Sequence, residues 1–76
     1  MNNKPTIIFV HGFWGGAAHW SKVITDLSHR GYTALKAVEL PLTSLADDVE
    51  RTRKMIAQVQ GDVLLVGHSY GGAVIT

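Results

Sequence analysis

The sequence predicts an α/β fold: a parallel β-sheet with helices on both faces. Three observations carry that expectation. Short apolar, β-branched runs at residues 6–10 and 63–66, with a weaker one at 32–38, have the composition of strands buried on both faces. Stripes of apolar residues at helical spacing lie between those runs. The order is therefore strand, helix, strand, helix, strand, start of helix, and such alternation brings each strand back parallel to the last. Residues 1–76 read together as one partial domain, a βαβαβ unit plus the start of a further helix.

Each element has a local reason. Pro5 precedes the first strand, 6–10, where a missing N–H does little harm. Residues 11–16 form a glycine-rich loop. Trp20, Val23, Ile24 and Leu27 recur at i, i+3, i+4 and i+7, which predicts a helix over 17–30 with Ser21, Lys22, Asp26 and His29 outside its stripe. Arg30-Gly31 stops it, the glycine in the usual left-handed position. Residues 32–38 form the second strand, and Pro41 fixes the connection that follows. Ser44 starts a second helix over 45–60. Its hydroxyl can accept an early helix N–H, and Asp47 completes a capping-box-like pattern. Leu45, Val49, Thr52, Ile56 and Val59 are its buried stripe, with i,i+4 pairs Asp47–Arg51 and Glu50–Lys54 on the wet side. Gly61-Asp62 closes the helix. The third strand is 63–66, residues 67–71 turn sharply, and a last helix begins over 70–76.

Composition excludes several functions. Seven Lys+Arg against six Asp+Glu give a net charge of +1, without the clustered basic excess of a nucleic-acid binder. With 46% hydrophobic and 17% charged residues, the chain has enough apolar surface to fold, so disorder is excluded. The absence of cysteine excludes disulfides, thiol nucleophiles and Cys-containing zinc sites. The apolar stretch at 7–10 is too short for a signal-peptide core, and no run approaches the ~20 apolar residues of a membrane span. A cytoplasmic location with no membrane partner is the expectation. At 76 residues a single core is close to marginal, which is the expectation for the front part of a larger fold.

The chemistry lies in two loops. Gly67-His68-Ser69-Tyr70-Gly71 fits G-x-S-x-G between a strand and a helix, the context of a nucleophile elbow. Such a turn holds the serine in a strained conformation above the sheet. Gly67 and Gly71 let strand and helix pass closely, and Gly72 is expected to add to that close packing. The helix N-terminus faces the serine, which puts the Tyr70 N–H in place to stabilise an oxyanion. His11-Gly12-Phe13 ends the first strand as the elbow ends the third. Its N–H groups, that of Phe13 first, are candidates for the second oxyanion donor, and Gly12 permits the close turn. Other motifs fail. Gly12, Gly15 and Gly16 do not make a dinucleotide fingerprint, no phosphate loop follows a glycine run, and no histidine pair has metal-ligand spacing. No cofactor and no metal are expected. His19 and His29 read as helix-surface residues and Trp20 as core. Phe13 and Trp14 either line an acyl pocket or pack under further structure.

The first strand with HGFWGG, Trp20 in the next helix, and VLLVGHSYGG at the elbow resemble the N-terminal part of an α/β-hydrolase. PLTSLADDVE, residues 41–50, is similar to a branch of small bacterial hydrolases related to plant ester hydrolases and hydroxynitrile lyases. The resemblance covers nearly all 76 residues and about the first third of the family's fold. It implies that the HG strand lies between the other two, with a topological switch point at the C-terminal ends of the first and third strands. It implies Ser69 as nucleophile. It also implies that His11 holds its loop by hydrogen bonds and that His68 points away from the Ser69 hydroxyl. The family order is Ser, then Asp or Glu, then His, yet only Tyr-Gly-Gly-Ala-Val-Ile-Thr follows Ser69. The expected function is thus the N-terminal portion of a serine hydrolase acting on carboxylic esters, not competent alone. The alternatives are a hydroxynitrile lyase-type parent and a non-enzymatic product that self-associates through its exposed sheet edge.

Overall fold

The structure, a computed structural model, describes residues 4–76. Its three strands are β1 (Thr6–Val10), β2 (Leu35–Val38) and β3 (Val63–Gly67), and they form one parallel sheet in the order β2-β1-β3. Ile7 pairs with Leu35 on one side and Leu64 on the other, and Val10 pairs with Val38 and Gly67. The helices are α1 (Ser21–His29), α2 (Leu45–Ala57) and α3 (Tyr70–Ile75).

The central strand has two buried faces because helices cover both. Ile7 and Phe9 point to one side, where they meet Trp20, with Ile24 and Leu27 of α1 packed around them. The Phe9 and Trp20 rings lie 5.0 Å apart. Ile8 and Val10 point to the other side, against Val38, Leu40 and Val74, with Val49 and Ile56 of α2 alongside. The connection leaving β1 therefore runs to one face and that leaving β3 to the other. This is the switch point at which open α/β sheets place their sites.

Boundaries differ from the sequence expectation in ways that hydrogen bonds explain. The 17–30 helix divides into a 3-10 turn, Ala17–Trp20, and α1. The turn winds tighter because the His19 N–H donates to the Gly16 carbonyl, while the Ala17 N–H leaves the helix to reach Glu39 Oε1 at 2.8 Å. β2 starts at Leu35 rather than residue 32, since the Tyr32 N–H is still held by the Leu27 carbonyl. α2 ends at Ala57 rather than residue 60. Gln58 and Val59 donate to Met55 and Ile56, the i→i+3 bonds of a closing turn. β3 runs one residue further, because Gly67 still pairs with Val10.

The start of α2 has the expected cap: Ser44 Oγ accepts the Asp47 N–H at 3.0 Å. The reciprocal half is different, since Asp47 Oδ2 accepts the Thr43 hydroxyl. Neither expected i,i+4 pair forms among the described residues. Arg51 donates to the Glu39 carbonyl, and the ion pair present is Arg30–Asp26 at 3.4 Å. Two stripe assignments are also corrected. Val23 is 41% exposed and Leu45 is 51% exposed, and neither packs in the two apolar clusters against the sheet. No helix among the described residues is long and apolar enough to cross a membrane.

Candidate active site

Ser69 stands between β3 and α3 with φ +57° and ψ −119°. A non-glycine residue with this backbone is strained by about 1–3 kcal/mol, which the surrounding packing must hold in place. The packing is tight where the motif has glycine. A Cβ on Gly67 would lie 2.7 Å from the backbone of Gly71 and Gly72, and one on Gly71 would lie 2.2 Å from the Val10 carbonyl oxygen. Gly72 is a correction: a Cβ there meets nothing within 4 Å, so it plays no part in the close approach.

The loop after β1 meets this elbow. The His68 N–H donates to the Val10 carbonyl at 3.1 Å, and Gly12 sits where a Cβ would be 3.2 Å from the His68 oxygen and 3.4 Å from Ser69 Cβ. The Phe13 and Tyr70 rings stack, centroids 4.1 Å apart and 18° from parallel. Neither the Phe13 nor the Tyr70 backbone N–H has an acceptor among the described residues, so both donors are free. Gly12, Phe13, Trp14, Gly15, His19, His68 and Ser69 line a cleft of about 160 Å³. Phe13 is 59% exposed, and Trp14 is fully exposed.

The histidines have distinct surroundings. His11 is fully buried and both of its ring nitrogens are engaged. The Leu40 N–H donates to Nε2 at 3.0 Å, so Nδ1 carries the ring proton and donates to the Gly12 carbonyl at 2.7 Å. It braces the loop and has no lone pair left for a substrate proton. His68 is exposed and stacks on His19 (5.6 Å, 26°), with its ring edge-on to Trp20. His19 is thus more than a surface residue, since it lines the cleft. Its position on the 3-10 turn, rather than on a regular helix, turns it there. Ser69 Oγ has no hydrogen-bond partner among the described residues. These residues therefore contain no nucleophile–base pair. Trp20 is core as expected, 8% exposed, with Nε1 buried and unpartnered among the described residues. No group of three or more metal-ligating side chains occurs among them.

Two acidic residues beside the site escaped the sequence reading. Asp48 is fully buried and accepts from the Leu42 N–H at 2.8 Å and from the Tyr70 hydroxyl at 2.5 Å. That hydrogen bond, then burial, then the Asp48 charge push the Tyr70 phenol up to about 12. The signal was spacing: Asp48 lies four residues before Thr52, on the buried stripe itself. Glu39, read only as connection, ties the start of the 3-10 turn to β2.

The sequence profile of the alpha/beta hydrolase family matches residues 7–76. A Haemophilus influenzae protein named "Putative 2-succinyl-6-hydroxy-2,4-cyclohexadiene-1-carboxylate synthase" is 37% identical over 76 aligned residues, which cover 90% of this chain and 31% of that protein. An alpha/beta hydrolase of Aspergillus novofumigatus is 36% identical over 83, covering 96% of this chain and 33% of its own. The chain spans about a third of the length of these curated relatives.

Proposed function

The chain belongs to the alpha/beta hydrolase family, and from that premise we propose that it carries the nucleophile and oxyanion half of a serine hydrolase acting on carboxylic esters. The observation that supports this most is Ser69, held at φ +57° on the switch-point end of the sheet beside two free backbone donors. Ser69 Oγ attacks the ester carbonyl carbon. Its proton passes to an imidazole outside these residues, and the negative oxygen of the tetrahedral intermediate rests on the N–H groups of Phe13 and Tyr70. Collapse expels the alcohol, and water then releases the acid from the acyl-serine. Each oxyanion donor is worth about 3–4 kcal/mol in the transition state.

A serine hydroxyl is a poor nucleophile until a base takes its proton, and among the described residues Ser69 has no such partner within hydrogen-bond reach. The 76-residue chain is therefore expected to show no ester turnover above a Ser69→Ala control, and a serine-directed phosphonate should label it no faster than a free peptide. Joined to the part of a relative that the match leaves uncovered, the chain should label at Ser69. Labelling elsewhere in that hybrid, or rapid labelling of the 76-residue chain, overturns the reading. The synthase name of the Haemophilus influenzae relative favours a second one. The same serine constellation would then serve proton chemistry on a small molecule, as in a hydroxynitrile lyase-type parent, and product analysis of the hybrid separates the two.

A further inference from the structure

The two candidate oxyanion donors belong to residues far apart in sequence, Phe13 and Tyr70, whose rings are stacked face to face at 4.1 Å. The stack alone does not fix its own position, because Phe13 is 59% exposed. One end of it, however, is anchored. The Tyr70 hydroxyl donates to Asp48 Oδ2, and Asp48 is fully buried in α2. The other oxygen of the same carboxylate accepts the N–H of Leu42, a residue held at φ +59°. That left-handed backbone is unfavourable for leucine and persists only where a partner holds it.

We infer that Asp48 is a positioning residue for the oxyanion site: it fixes the Tyr70 ring, the ring fixes Phe13, and the two backbone N–H groups are thereby held in register. The inference rests on the oxyanion roles proposed above for Phe13 and Tyr70. A buried carboxylate needs its hydrogen bonds satisfied, and here both oxygens are used, one on the loop before α2 and one on the elbow helix. The loop before α2 is tied to the HG loop as well, since the Leu40 N–H donates to His11 and Glu39 accepts from Ala17. The segment from Glu39 to Leu42 thus braces both halves of the site. Asp48 is the point at which the brace meets the elbow. No hydrogen bond of this network among the described residues ends on Ser69 Oγ, so its effect is on the oxyanion donors.

The test compares backbone order parameters by NMR relaxation in the 76-residue chain and in Tyr70→Phe, which keeps the stacked ring, the backbone and the Asp48–Leu42 bond. The Phe13 amide should fall from about 0.85 to below about 0.6, while the Leu40 and Leu42 amides stay rigid. Asp48→Asn keeps an acceptor for Leu42 and removes the charge that holds the phenol; it should move Phe13 in the same direction. The double variant should add little to either single change, as for residues acting through one contact. A merely structural Asp48 would leave Phe13 rigid in Tyr70→Phe, and that result overturns the inference. So does loss of order at Phe13 only in parallel with the whole chain. Phenylboronate, which forms a tetrahedral anion on an oxyanion-holding serine, separates this from the functional reading. If it shifts neither the Phe13 nor the Tyr70 amide in the hybrid with the uncovered part of a relative, which supplies the base, the oxyanion roles fail, and the inference built on them is overturned with them. If it shifts both and Tyr70→Phe leaves Phe13 rigid, the positioning role alone fails.

Discussion

Gly71 and Gly72 are chain neighbours under opposite constraints. A methyl group at Gly71 would lie 2.2 Å from the Val10 oxygen, inside the backbone of β1, and one at Gly72 meets open space. Gly71→Ala is expected to cost about 3 kcal/mol or more, because α3 must move off the strand. Gly72→Ala should instead gain about 0.5–1 kcal/mol by removing unfolded-state freedom from a helical position. Urea unfolding midpoints decide the matter, and similar losses for both would refute the close approach at Gly71. His11 is another position where one side chain carries much of the local order. His11→Ala leaves the Leu40 N–H buried without an acceptor, which alone costs about 1–3 kcal/mol, and the same unfolding curves should report it.

α2 connects to the site through its buried face. Removing its cap by Ser44→Ala should cost about 1 kcal/mol, read as a lower unfolding midpoint, with no effect on Tyr70. The Asp48–Tyr70 bond should make stability depend on pH at the alkaline end. The phenol is raised from 10.0 to about 12 in the folded chain, so the unfolded chain loses its proton first as pH rises. The stabilisation is complete below 10 and is lost as pH climbs through about 12. Urea unfolding across that window should show a steeper loss for the natural chain than for Tyr70→Phe, and parallel curves would contradict the bond. The element order and the elbow were legible in the sequence because they rest on local patterns: β-branched runs, helical stripes and a glycine pair around Ser69. Asp48 was not. An acid in a charged run reads as solvated until tertiary contacts show a phenol and a backbone N–H closing on it. The 3-10 turn was hidden for a similar reason, since Glu39, more than twenty residues away in the chain, draws the Ala17 N–H out of the helix. His19, which lines the cleft, lies on that turn.

At the scale of the molecule, β3 pairs with β1 on one side only among the described residues, and Leu64 on it is 50% exposed. Beside it, an apolar groove of about 460 Å³ runs between α2 and α3, with Leu45, Val49 and Ile56 on one wall and Val74 and Ile75 on the other. An open strand edge next to apolar surface favours association. Sedimentation of the 76-residue chain should therefore depend on its concentration, and Leu64→Lys should reduce that dependence; a monomer at all concentrations would count against it. The register of the sheet also sets an order of events. Ile7 finds Leu35 early, but it finds Leu64 only by closing a loop about twice as long. Each doubling of a loop adds about 0.6 kcal/mol of closure entropy, so β1 and β2 join first and β3 docks afterwards. In the reverse direction the strand that docks last leaves first. Under native conditions, amides bonded between β1 and β3 should exchange with solvent before those bonded between β1 and β2. The strand that carries the serine is thus the last to arrive and the first to depart, and the elbow lasts only as long as that single seam stays closed.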